Sequence, residues 1–182
     1  VRRNLSDMIE TSLTLAREHE YEKALSQLSS VQECQHPFTE DIRQQAAEQM
    51  ELITTQRDEQ YQLRDQLVEL ANQHQQAHDY SAVVRELEKI PVPLRTENEI
   101  AEQLSATQAA RDELATLESQ IPSDVENRRI EGLLEKTTRF LELKPGHEKT
   151  QKLHEQLLEQ RQKLQAHNRQ KKMIIGISNF IG

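Results

Sequence analysis

The chain has 182 residues, of which 35% are hydrophobic, 30% charged and only 3% aromatic, with no Trp. So few large apolar side chains are poor material for one compact core and favour an array in which each unit buries a seam against its neighbour, while periodic apolar residues and scarce Pro and Gly argue against disorder. The net charge of −8 is uneven: from Gln160 onward there is no Asp or Glu, and Arg161, Lys163, Arg169, Lys171 and Lys172 supply +5, leaving −13 on the rest, an acidic body that excludes nucleic acid as a partner because phosphate contacts need clustered Lys and Arg.

The periodicity predicts a first helix from Leu5 to about Arg17, with Leu5, Met8, Ile9, Ser12 and Ala16 on one side. A turn at His19-Glu20-Tyr21 leads into a second helix with a stripe of Tyr21, Ala24, Leu25 and Leu28, stopped by Pro37. Thr39-Glu40-Asp41 reads as a helix start, a hydroxyl cap followed by acids that suit the positive end of the helix dipole. No Gly or Pro follows until after Ala77, so a continuous helix there would reach about 60 Å at ~1.5 Å per residue. Its apolar positions form two groups, Ile42, Ala46, Met50 and Ile53, then Leu63, Leu67, Val68 and Ala71, separated by a polar Thr54–Gln62 with only Tyr61 to bury. That pattern describes a bridging helix with an exposed middle, and Gln56 to Arg64 is the surface it offers a partner.

A further helix is expected from Asp79 to Ile90, ended by Pro91 and Pro93. Thr96-Glu97-Asn98-Glu99 reads as a capping box, opening a seam of Ile100, Leu104, Thr107, Ala110, Leu114, Leu117 and Ile121 that Pro122 should break. Ser123-Asp124-Val125-Glu126 reads as a second box. The next helix should run to Leu143, and Lys144-Pro145-Gly146 should end it. A last helix is expected from His147 to about Lys172, with Leu153, Leu157, Leu158 and Leu164 on its seam.

One stretch occurs three times. His19–Val31, His78–Pro91 and Arg128–Phe140 align so that Tyr21, Tyr80 and Ile130 coincide, as do Ala24, Val83 and Leu133, then Leu25, Val84 and Leu134, then Val31, Ile90 and Phe140. This is the mark of repeated helical hairpins with connectors of variable length. The fold class expected is all-α: about seven helices in three hairpins, elongated, joined by long bridging helices. The segments expected are 1–60, 61–121, 122–172 and an apolar tail, 173–182.

Chemistry is harder to find. Phosphate-cradling loops need Gly for close backbone approach, and only Gly132 and Gly146 precede the tail, neither in a Gly-rich run. His-Glu pairs at His19, His147 and His154 lack the second His of a zinc-protease helix, since Lys23, Gln151 and Leu158 stand there. One Glu-x-x-His, Glu33 to His36, is half of what a di-iron bundle requires. His74 and His78 share a helix face at chelating spacing without a third ligand. Cys34, the single cysteine, has only His36 nearby as a base, forms no intrachain disulfide, and fits a reducing compartment. No enzyme, cofactor or metal site is expected.

The tail Met173–Gly182 carries no charge and follows Arg169, Lys171 and Lys172. A bilayer span needs about 20 apolar residues, so this stretch reads as the first part of one, as a tail that docks on the array or on another copy, or as a cloning remnant. Basic residues before a span place the preceding domain in the cytoplasm. No signal peptide is visible, and the missing initiator Met points to a fragment or processed product. The candidate membrane or partner contacts are Arg169, Lys171, Lys172, Ile174, Ile175 and Phe180. The seams at 100–121 and 153–164 are candidates for self-association into a homo-oligomer.

The His-Asp-Tyr or His-Glu-Tyr start followed by a small or apolar pair resembles the second helix of tetratricopeptide-type hairpins, and Leu141–His147 resembles the ending of such a repeat. More loosely, the chain is similar to helical-repeat regions of large bacterial membrane-anchored proteins that carry a Ser/Thr kinase or a sulfatase-modifying-factor-like domain elsewhere. That resemblance implies a cytoplasmic spacer or docking region beside a membrane segment, and it carries over no catalytic residue. The function expected is therefore a scaffold, spacer or protein-interaction region, with membrane-surface association or self-association as the alternative.

Overall fold

The computed structural model describes the backbone of residues 1–96 and 98–178 and the side chains of 1–96 and 99–167. Among these the chain is all-α, with eight helices: α1 (Arg2–Arg17), α2 (Tyr21–Gln32), α3 (Glu40–Gln76), α4 (Tyr80–Glu88), α5 (Val92–Arg95), α6 (Asn98–Glu126), α7 (Leu133–Leu143) and α8 (Glu148–Ser178). The additional helix is α5, one turn with Pro93 near its start and Leu94 buried. The chain divides into two compact units, Val1–Gln108 and Ala109–Gly182.

In the first unit a single cluster of buried side chains runs from Leu5 on α1 to Ile100 on α6. α1 packs on α2, α2 on the first part of α3, and the last part of α3 on α4. The apolar stripes supply the contacts: Leu5, Ile9 and Ala16 from α1, Tyr21, Ala24, Leu28 and Val31 from α2, Ile42, Ala46 and Ile53 from α3. Ser12 is also fully buried, its hydroxyl donating to the Met8 carbonyl at 2.8 Å. No residue from Thr54 to Gln62 is fully buried, as the polar run between the two apolar groups of α3 requires. Leu63, counted with the second group, is exposed instead.

Three helix ends share one hydrogen-bond pattern. After α1, α3 and α6 the chain reverses on His19, His78 and Arg128, all at positive φ (61°, 56° and 54°). In each, the amide of the next residue reaches back five residues: Glu20 to Leu15 O at 2.9 Å, Asp79 to His74 O at 3.0 Å, Arg129 to Asp124 O at 2.8 Å. The left-handed residue itself donates to Ala16, Gln75 or Val125 O. This is the Schellman closure, which satisfies the last carbonyls of a helix. Tyr21 and Tyr80 then turn inward, each edge-on to its histidine. Tyr21 is only 2% exposed, and its hydroxyl lies 3.0 Å from His19 Nδ1. Burying such a ring stabilises by about 2–3 kcal/mol.

The third turn departs after its closure. Asp79 Oδ1 accepts from the Ala82 amide at 3.0 Å and so starts α4 at once. Arg129, at the corresponding place, has no acceptor oxygen, and α7 starts only at Leu133, preceded by Gly132 at φ 72°. Ile130 is therefore not the counterpart of Tyr21 and Tyr80: it is 65% exposed. Leu133 and Phe140 are buried as their alignment with Ala24 and Val31 expects.

Other expectations need correction for similar reasons. α6 does not break at Pro122 but continues to Glu126 with the proline inside it. The ring sits on the exposed side, and the turn beyond is held by Arg129 on Asp124 and by Asn127, whose Nδ2 donates to Ser123 O at 2.7 Å. Ser123–Glu126 is thus a helix end, not a capping box that starts one. Thr96 does not cap α6 but closes α5, donating to Pro93 O at 2.7 Å; Glu97 lies outside the described residues. Thr39 does occupy the cap position of α3, yet its hydroxyl donates backward to His36 O at 2.7 Å. Before it Phe38 stands at φ 64° and 89% exposed, for which the structure gives no reason.

A non-glycine residue at positive φ carries a Cβ penalty. Arg128 is exposed and bears it with no ion pair among the described residues. Replacing Arg128→Gly should therefore raise the unfolding free energy by about 0.5–1 kcal/mol, less the extra entropy glycine gives the unfolded chain. Urea titration checks this; a loss of stability would show that the arginine side chain holds the turn.

Candidate interaction surfaces

In the second unit α7 packs on the first half of α8. Phe140 is buried with the His147 ring 5.1 Å away. Thr137 is fully buried; its hydroxyl donates to Leu134 O at 2.9 Å and lies 3.0 Å from His154 Nδ1. His147 caps α8 with its own ring, Nδ1 accepting from the Thr150 amide at 3.4 Å. Past Leu157 the polar and apolar side chains of α8 alike are exposed through residue 167. Leu158 and Leu164, expected on a buried seam, are both in solvent, Leu164 at 68%.

These exposed residues surround a groove of about 410 Å³ lined by Ile130, Gly132, Leu134 and Glu135 on one side and by Leu157, Gln160, Arg161 and Leu164 on the other. It lies beside the third turn, on the α7–α8 side. In the first hairpin the residue at Ile130's place, Tyr21, is folded inward and buried. Because α7 starts late, Ile130 is displaced to the rim and the space stays open. A second open pocket of about 430 Å³ is lined by Leu117, Ile121, Phe140, His147 and Leu153, with the exposed Pro122, Val125 and Lys149 at its edge.

Ion pairs link α6 to α7. Arg139 grips Glu113 with two nitrogens at 2.7 and 2.8 Å and Glu142 with a third contact at 3.0 Å. Lys144 reaches Glu118 at 3.1 Å, and Lys136 reaches Asp124 at 2.6 Å. The hydrogen bonds from Arg139 hold the Glu113 carboxyl below its ordinary value, and donating to Glu113 and Glu142 holds the guanidinium above its own.

The middle of α3 is less free than its polarity suggests. Arg57 bonds Asp58 at 2.8 Å and reaches Glu22 on α2 at 3.5 Å. The Arg64 guanidinium lies 4.7 Å over the Tyr61 ring. Burial, with Tyr61 as a neighbour, pushes the Tyr21 phenol above its ordinary value. Within Gln56–Arg64, Arg57 and Tyr61 are thus engaged with α2, and Arg64 with Tyr61 and Asp65 of its own helix. On α4 a buried carboxylate, Glu86, is satisfied by Lys89 and by Arg85 at 3.3 Å, and the first of these, with the second, holds it below its ordinary value.

Of the residues considered for chemistry, Cys34 is half-buried, and the His36 ring nitrogen is engaged with Pro37 O at 2.7 Å. His78 is used in the turn after α3, with its Nδ1 buried and without a hydrogen-bond partner among the described residues. No group of three metal-capable side chains converges among the described residues. Arg169, Lys171, Lys172, Ile174 and Ile175 belong to the helical backbone of α8, while their side chains, and Phe180 altogether, lie outside the described residues. No helix among the described residues is long and apolar enough to cross a membrane.

Comparison of the chain with protein-family models, with curated proteins and with solved structures gave no match.

The depressed Glu113 carboxyl contributes stability above the ordinary carboxylate range, and that contribution is lost as pH falls through its lowered value. Arg139→Gln should accordingly lower the melting temperature at pH 7, and the gap between variant and wild type should narrow as pH falls through the ordinary carboxylate range toward the lowered value of Glu113. A gap that is constant with pH would mean that Arg139 acts through packing alone.

Proposed function

We propose that this chain is a non-catalytic scaffold that binds a protein partner, and that it serves as a spacer or docking region of a larger, membrane-anchored protein on its cytoplasmic side. The observation that carries the binding part is the open groove beside the third turn, with Ile130 and Leu164 in solvent at its edges. Two large aliphatic side chains exposed together around a concave apolar lining favour association, because covering them removes apolar surface from water. The tetratricopeptide-like turns support the same reading, since they set helices side by side and leave one face of the last pair uncovered. Membrane anchoring rests on the resemblance described above and on the uncharged run after Lys172.

A photo-crosslinking amino acid placed at Ile130 or Leu164 in the parent cell should give discrete protein adducts that Leu164→Glu in the Ile130-labelled chain removes. The same group at the exposed Thr11 of α1 should give none. Equal adducts at all three positions, or none at any, would defeat the interaction reading.

The alternative is association with a membrane surface through Arg169, Lys171, Lys172, Ile174, Ile175 and Phe180. It is favoured by the continuation of the α8 backbone as helix to Ser178. The chain should then float with vesicles containing phosphatidylserine, more weakly at higher salt, and deletion of 169–182 should abolish flotation. Equal flotation of the deleted chain would remove the tail from consideration.

A further inference from the structure

We propose that the groove beside α8 is closed by α8 of a second copy of this chain, laid antiparallel to the first. The inference rests on the interaction reading above and names the partner.

Three observations select a second copy in that direction. The groove is lined by one base and one acid, Arg161 and Glu135, among apolar residues, so it carries no net charge and is self-complementary. A two-fold axis brings each copy's Arg161 to the groove that holds the other's Glu135. Next, the charges of α8 are segregated along its length. Glu148, Glu155 and Glu159, with Lys149 and Lys152, occupy the first part; Arg161, Lys163, Arg169, Lys171 and Lys172, with no acid, occupy the rest. A parallel copy would set the two wholly basic halves side by side. An antiparallel copy sets each basic half along the half that holds every acid of the helix. Lys149 and Lys152 oppose this in part, and the acids outnumber them.

The third observation fixes the register. Leu157 and Leu164 are two helical turns apart and both line the groove. Setting Leu157 of one copy against Leu164 of the other places the axis between Gln160 and Arg161, the remaining α8 residues of the lining. Each Leu164 then leaves water for the space beside Ile130 and Leu134 of the other copy. In this register Glu155 comes within a turn of Lys163 and Arg169 of the second copy. The first hairpin needs no such cover, because Tyr21 closes the corresponding space from within.

Sedimentation equilibrium of the whole chain should show a reversible monomer–dimer equilibrium. Leu164→Glu, which puts a charge where a leucine was buried twice over, should raise the dissociation constant about 100-fold or more with unchanged far-UV circular dichroism. Orientation is read by cross-linking in a Cys34→Ser background. Gln160→Cys, beside the axis, should oxidise to a covalent dimer. Lys149→Cys should not, since the two sites would lie about 35 Å apart along antiparallel helices. Cross-linking at both positions means a parallel pair, and a dimer that Leu164→Glu leaves intact means another interface; either overturns the proposal. So does a monomer at every concentration. A monomer that still gives groove-specific adducts in cells would overturn the dimer and keep the partner reading, whereas a monomer without them would remove both.

Discussion

The reversal of each long helix falls on a residue held at positive φ, and much of the fold follows from that turn. The left-handed conformation costs an L-residue about 1–2 kcal/mol, yet His19, His78 and Arg128 adopt it without being glycine. Each is compensated by two backbone hydrogen bonds that would otherwise be missing from a helix end. The turn also sets where the next helix can begin. After His19 and His78 the next helix starts immediately, with Asp79 as a side-chain cap in the second case and none from Glu20 in the first, and its first aromatic is carried inward. After Arg128 the chain runs on through Gly132, and Ile130 is left outside.

The two units also differ in what holds them. The first is a cluster of aliphatic side chains with Tyr21 at its centre, continuous from α1 to the start of α6. The second has fewer buried apolar groups, and ion pairs link its α6 to α7. Exposed pairs of this kind are individually weak, commonly under 1 kcal/mol. A bidentate arginine fixed by two acids is the geometry in which such a contribution is largest.

The helices themselves were legible because apolar residues recur at three and four and because breakers are rare between Thr39 and Ala77. The turns at His19 and His78 were legible as well, since the same residues appear twice. Misreadings gathered where one local signal had two meanings. A Ser or Thr followed three residues on by Glu can open a helix or sit in its last turn, and Ser123 does the latter because Asn127 and Arg129 hold the turn beyond it. Pro122 can end a helix or ride on its exposed side. Leu158 and Leu164 have seam spacing, and spacing cannot say whether a neighbour is present to cover the seam. The groove was hidden for the same reason: Ile130 matches two tyrosines in alignment, and its displacement follows from the late start of α7 at Leu133.

The open groove and the charge segregation of α8 are best understood together. A lone apolar groove on an acidic chain could attract many partners, and a helix with a basic half could attract many acids. Their coincidence on one helix narrows the field. Apolar contact between Leu157 and Leu164 supplies affinity without direction, since two leucines pack equally well in either sense. The segregated charges supply direction with little affinity, through the repulsion that a parallel arrangement would incur. Each term alone leaves the arrangement undetermined. Acting on the same two turns of α8, they leave one arrangement in which both are satisfied, and it is one that the chain can complete with itself.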